Sequence, residues 1–461
     1  MKQIIATLCI ILVSKWQQHL NLYFFVKKIK KPLHTNKMNR TIPPPITNTA
    51  DLTLTLKDAE NYTLDNGITV CSIEAGKQDV LLIDIVFEAG NVYETKNLVS
   101  GVVSHLLKCG TTTKTAFEIN EAADYYGAYL NRGAGAEYAN ISLHTLTKHT
   151  EALLPILYDV IYNSTMPQKE LEIFTQNSLQ RLKMNLQKGD FVANRLIDVY
   201  LYGAEHPYGR HSSEADYLAI TQQDCLGFYN QYYKNAGFKI FVAGVLPANI
   251  KALLNQTFGQ SPVPTTNHIS TYKYEPNTTK KYSITNDETS VQGAIRIARP
   301  FVNRHHSDFK ECMVLNNILG GFFGSRLMTN IREDKGYTYG IHSYVQNHSK
   351  QTAWVISTEA GKDVSLATIE EVYKEMEILK TVLIDEEELQ LVQNYMMGQI
   401  LGDLDGPFQL IGRYKMYSLN GLTSQYFYDY INTIKTITPK RIQELANKYL
   451  NKEDFYELVV Y

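Results

Sequence analysis

Between Val80 and Ala89 the chain reads VLLIDIVFEA, an apolar, β-branched run with the length and makeup of a buried strand. A helical period takes over at Leu98–Lys108. There Val99, Val102, Val103, Leu106 and Leu107 line one side of a helix, and Gly101, Ser104, His105 and Lys108 the other. A second helix is expected over Ala116–Tyr126, then Tyr126-Gly127-Ala128-Tyr129, a strand at Tyr138–Leu146 and a long helix at Glu151–Asn163. The same order returns later. A strand at Val291–Ala298 is followed by helices around Phe309–Leu319 and Ser325–Asp334. Tyr339-Gly340-Ile341, a strand at Thr352–Thr358 and a helix at Asp363–Lys380 then follow. The tails match too: Thr221 opens a helix that runs into the strand Phe238–Val245. Thr438-Pro439, an N-cap followed by proline at the first helical position, opens one that runs into Phe455–Val460.

Repetition of so many elements in one order predicts a duplicated architecture. The fold class expected is α+β, with two lobes that each carry a mainly antiparallel sheet and helices packed over one face. Ser261–Thr279 holds Pro262, Pro264 and Pro276 among Thr, Asn and Ser, and reads as a linker. The expected organisation is therefore an N-terminal domain over 51–260, a linker over 261–280 and a C-terminal domain over 281–461.

The first 50 residues stand apart. Lys2 precedes an apolar run from Ile4 to Val13, too short for an ordinary span and with no small-x-small cleavage site after it. Residues 1–37 read as a mis-called start ahead of Met38, a weak anchor or a poor signal. The compartment stays open between cytoplasm and periplasm, with a soluble body expected.

Composition narrows the function by exclusion. The 461 residues are 44% hydrophobic, ample for a large core, and carry 45 basic against 47 acidic side chains. No basic stripe accompanies that balance, so nucleic acid is not an expected partner. The five cysteines (Cys9, Cys71, Cys109, Cys225 and Cys312) are scattered and odd in number, which argues against a disulfide framework or a structural zinc site. Buried free thiols are the expectation. No Ser/His/Asp or Cys/His pattern supports a self-sufficient hydrolase, although such sites assemble in space rather than in sequence. His305-His306 diverge on any regular element, His144 and His149 straddle a strand–helix boundary, and His206 lies in His-Pro-Tyr-Gly. All of these read as packing or solvated histidines.

Strand–Ala89-Gly90, a helix and then Gly110-Thr111 resemble the opening of the insulinase/pitrilysin family of zinc peptidases. Active members carry H-x-x-E-H on that helix, with two imidazoles one turn apart as zinc ligands and a glutamate as general base. The matching positions here are Gly101, Val102, Val103, Ser104 and His105, so only the last histidine remains. The family's third ligand is a glutamate on a helix that resembles Leu171–Leu186, where Gln180 and Arg181 stand about where the acid belongs. One imidazole cannot retain zinc, so no metal bound by this chain is expected. Residues 320–340, GGFFGSRLMTNIREDKGYTYG, resemble the family's C-terminal-domain signature. There an arginine and a tyrosine seven residues later reach toward the metal across the cleft, and Arg332 and Tyr339 match that spacing.

The resemblance covers roughly residues 60–461 and implies a clamshell like that of mitochondrial processing peptidase. It also implies a non-catalytic subunit, with zinc and H-x-x-E-H supplied by a partner of the same family. Arg332 and Tyr339 would bind substrate and stabilise its oxyanion, the substrate being an unfolded peptide enclosed in the chamber and paired to a sheet edge. The rival implication is a structural subunit, as in the respiratory cytochrome bc complex, whose core subunits share the fold without peptidase activity.

Overall fold

The computed structural model describes residues 52–260 and 272–461. The N-terminal extension through residue 50, Cys9, and residues 261–271 of the expected linker lie outside the described residues. Residues 272–280 form no regular element.

Two sheets dominate. The first carries β1 (Glu60–Thr63), β2 (Thr69–Glu74), β3 (Val80–Phe87), β4 (Tyr129–Ala134), β5 (Ala139–Leu146) and β6 (Phe238–Gly244), in the order β1-β2-β6-β3-β5-β4. The second carries β7 (Lys281–Ile284), β8 (Gln292–Phe301), β9 (Thr338–Asn347), β10 (Thr352–Gly361) and β11 (Tyr456–Val460), in the order β7-β11-β8-β10-β9. Each sheet has one parallel pair, β2 with β6 and β7 with β11, and is otherwise antiparallel. The duplicated order read from the chain thus reappears as two sheets of matching topology. The capping logic holds as well: the Thr438 hydroxyl accepts from the Arg441 N–H at 3.2 Å, and a helix runs Pro439–Tyr449 directly behind it.

The pleat divides β3 between two cores. Leu81, Ile83, Ile85 and Phe87 join the helices of their own half, whereas Leu82 and Val86 face the other way. That second face, completed by Cys71, Ile73, Phe241 and Ala243, belongs to a core made mostly of residues beyond 294. The helix Pro407–Leu419 lies across β2 and β6 there, with Lys415 paired to the buried Asp84 at 2.6 Å and the Tyr138 hydroxyl donating to Leu419 O at 2.8 Å. The arrangement is reciprocal. Ala294, Ala298, Ala353, Val355, Leu458 and Val460 of the second sheet join the core of the first half, under the helix Gly189–Tyr202. Arg296, 1% exposed, reaches from that sheet to Asp190 and to Asn194. Helices on one face of each sheet were expected; the other face is covered too, by a helix lent from the opposite half.

This exchange outweighs any single contact. A large apolar side chain moved out of water is worth roughly 1.5–3 kcal/mol. Stripping a sheet of its borrowed helix therefore forfeits on the order of 10 kcal/mol, comparable with the net stability of a whole domain. The described part of the chain lies within one compact unit spanning Thr49–Tyr461. Residues 52–260 expressed alone should aggregate or self-associate, and the intact chain should unfold in one calorimetric transition. Two well-separated transitions, or a soluble monomeric fragment, would contradict the interlock.

Candidate functional site

The helix expected to carry the metal motif is Val99–Leu106, and its start is fixed from several sides. Glu94, buried, accepts from the Ser100 N–H at 3.0 Å and from Arg210 at 2.9 Å, while the Ser100 hydroxyl donates to Ala89 O at 2.6 Å. Leu98 enters the helix at φ 75°, a left-handed conformation unusual for leucine and held by these surrounding contacts. The two-sided helix read from the sequence is more deeply covered than its pattern suggested. Ser100 and Ser104 are buried along with the valines, because a second layer of helices packs over this one; Ser104 lies beside the buried Tyr233 phenol. Gly101 is exposed, with nothing within 4 Å of where a Cβ would stand.

His105, half-buried, sits in a cationic environment. Arg132 on β4 donates from Nε to the His105 carbonyl at 2.7 Å and from Nη2 to the His105 Nδ1 at 2.8 Å. Since a guanidinium only donates, Nδ1 is the acceptor and the neutral ring carries its proton on Nε2. The ring packs against Phe174 of the helix Gln168–Leu186, centroids 4.6 Å apart. Burial, then the charges of Arg132, Lys108 and Arg181, pull the imidazole down to about 4. Lys108 donates to Leu130 O at 3.1 Å and is itself lowered by burial and by Arg132. Gln180 is exposed on the same helix as Arg181. Among the described residues no three His, Cys, Asp or Glu side chains converge as a metal-ligand set. A dication at His105 would meet a guanidinium and an ammonium and no carboxylate, so these residues do not fit zinc. Arg132 was not singled out from the sequence; an isolated basic residue on a strand carries no motif.

The second constellation lies in the other half. A π-helical turn, Met328–Asp334, carries Arg332, and Gly336 at φ +66° turns the chain into β9. β9 is the edge strand of its sheet, and Thr358 pairs with Ile341 while Ala360 pairs with Thr338. Tyr339 and Gly340 thus stand opposite Glu359 alone, a β-bulge that aims Tyr339 away from the sheet, 93% exposed. Arg332 lies between two rings, its guanidinium carbon 4.5 Å from the Phe323 centroid and 5.6 Å from that of Tyr339. The structure therefore brings Arg332 and Tyr339 together as their spacing suggested and adds Phe323, 61% exposed, which the sequence reading passed over within Gly-Phe-Phe-Gly.

The two arginines of the signature have different environments. Arg326 holds Glu388 through two bonds, at 2.8 and 2.7 Å, and ties this segment to the helix Glu386–Gly402. Arg332 has no carboxylate within 4.0 Å among the described residues. At Gly320 the chain passes close to β9: a Cβ there would stand 2.7 Å from the Ser343 Cβ. His305 and His306 are exposed, whereas His206 and His144 pack against rings. His206 lies edge-on to Tyr208 with centroids 4.7 Å apart, and His144 edge-on to Phe408 at 5.5 Å. Cys71, Cys225 and Cys312 are buried free thiols; Cys109 is only partly covered.

Comparison with known proteins identifies the class to which this two-sheet fold belongs. The model of the insulinase family, peptidase family M16, matches residues 69–198, and that of the peptidase M16 inactive domain matches residues 219–396. An uncharacterized zinc protease of Bacillus subtilis, YmxG, is 24% identical over 398 residues, covering 86% of this chain and 96% of that protein. Subunit 1 of the bovine mitochondrial cytochrome b-c1 complex is 25% identical over 186 residues, covering 40% of this chain and 38% of its own. Among solved structures, a peptidase M16 inactive domain from Pseudomonas fluorescens superposes with a TM-score of 0.78 at 22% identity, covering 88% of this chain and 98% of that one. A protease from Helicobacter pylori gives 0.80 at 16% identity, covering 88% and 100%. The chain belongs to the insulinase (peptidase M16) family.

The His105 environment makes a measurable demand. Its NMR titration should give a midpoint near 4, moving up toward the ordinary histidine value in Arg132→Gln. Between that midpoint and about 6.5 the unfolded chain binds a proton that the folded chain refuses. The stabilising contribution is thus complete above about 6.5 and is lost as pH falls toward 4. Replacing His105 with Asn should flatten that part of the stability–pH curve.

Proposed function

We propose that this chain is the non-catalytic member of a two-chain zinc peptidase. A related partner supplies the metal and its general base, and this chain supplies Arg332 and Tyr339 to the peptide in the closed chamber. The observation that carries the reading is the contrast between Arg326, paired with Glu388, and Arg332, held between two exposed rings with no carboxylate beside it. A guanidinium in that state is ready for a planar acceptor, a peptide carbonyl or carboxylate. The Tyr339 phenol, lifted from the edge strand by the bulge, is free to donate to the oxyanion of a peptide carbonyl under attack. The loss of three of the four roles of the metal motif, with His105 occupied by Arg132, is consistent with zinc residing in the partner.

A second reading takes its support from the match to a cytochrome b-c1 complex subunit: a structural role in a larger assembly, without peptidase action. One experiment separates the two. Peptide cleavage is measured for this chain alone, for a family relative with intact H-x-x-E-H, and for the mixture. The mixture should cleave far faster than either chain. Within it, Arg332→Ala and Tyr339→Phe should each lower kcat/KM on the order of 10²-fold, the scale of losing one transition-state donor. Unchanged kinetics for both variants would remove the substrate role, and a mixture no faster than the relative alone would favour the structural reading.

A further inference from the structure

The cations around His105 have more donors than the protein gives acceptors. Arg132 uses Nε and one N–H of Nη2 on His105, and the remainder of its fork has no protein acceptor among the described residues. Lys108 reaches only the Leu130 carbonyl. Neither side chain has a carboxylate within 4.0 Å. Asp124 acts on Lys108, and Glu170 on Cys109, only from longer range. Arg181 adds a third positive charge from the facing helix. Arg132 and Lys108 are half-buried, so they are partly stripped of water and yet open on one side. Tyr129, 63% exposed, begins the edge strand that carries Arg132, and Tyr125, 82% exposed, lies just before it. Two partly desolvated cations with no carboxylate partner among the described residues form a receptor for an anion.

We propose that the degenerate metal position is a carboxylate-binding site, in which Arg132 and Lys108 hold a carboxylate of a bound peptide beside neutral His105. The site replaces the double positive charge of a metal ion with two fixed side-chain charges, and so retains affinity for oxygen while losing the ability to activate water. Its function is to anchor one end of a peptide, or an acidic side chain within it, on this half of the chamber. It does not depend on a catalytic partner or on Arg332, so it can be tested on this chain alone.

The probes are four fluorescent peptides of one unstructured sequence, carrying either Glu or Gln at one internal position and ending in either a free carboxylate or an amide. Binding is read by anisotropy at low and moderate salt. Peptides bearing a carboxylate should bind at least 10-fold more tightly than the Gln amide, and the advantage should shrink as salt rises. Sensitivity to amidation would identify a terminal carboxylate as the ligand, and sensitivity to Glu against Gln a side chain. Arg132→Gln should abolish the discrimination. Lys108→Gln, whose only protein bond is to one carbonyl, should weaken it and serves should Arg132→Gln fail to fold. Lys234→Gln, at an exposed lysine outside both sites, should leave it intact. Equal binding of all four peptides, binding of none, or discrimination lost with Arg332 but kept with Arg132 replaced, would overturn the proposal. The last result would still leave the role of Arg332 standing.

Discussion

The architecture depends on one constraint: each sheet has two apolar faces, and its own half of the chain supplies helices for only one of them. Leu82, Val86, Phe241 and Ala243 on the first sheet, and Ala294, Ala298, Leu458 and Val460 on the second, are buried only because a helix crosses from the opposite half. The two crossings are equivalent under the duplication. Each lies on the sheet's parallel pair or next to it, and each places a charged pair at the seam, Lys415 with Asp84 and Arg296 with Asp190. A carboxylate or guanidinium on a buried sheet face is costly unless its partner arrives with the covering helix, so these pairs favour the register in which the helices dock.

On that rigid frame the two candidate sites show opposite treatments of positive charge. At Arg326 the guanidinium is fully answered by Glu388 and acts as a fastening. At Arg332 aromatic faces hold the charge in place without neutralising it, and at His105 two cations stand beside a neutral imidazole. Rings and imidazole nitrogens position a cation while leaving its field intact, whereas a carboxylate would cancel it. Both sites therefore present unanswered positive charge to whatever occupies the space beside them.

What could be read from the chain were features decided locally. VLLIDIVFEA makes β3, Thr438-Pro439 starts a helix, and the Arg332–Tyr339 spacing survives because one turn and one glycine connect them. The helix exchange was not legible. The periodicity of Gly189–Tyr202 or Pro407–Leu419 shows that a helix has an apolar side but not which sheet that side will meet. The bulge at Tyr339 depends on the pairing of β10, and Arg132 acquires its meaning only when β4 comes to lie beside the metal-motif helix. The burial of Ser104 escaped for the same reason. A serine on the polar side of an amphipathic pattern looks solvated until another layer packs over it.

The open space beside Gly101 bears on how such a chain could change. A side chain placed there would start into open space. Arg132 is different, because its guanidinium occupies the lone pair of the remaining imidazole and is itself fastened to the backbone of the same helix. Histidine in place of Gly101 and glutamate in place of Ser104 would by themselves leave a metal in contact with a resident cation. The obstacle to seating a metal at this helix therefore lies outside it, on a neighbouring strand.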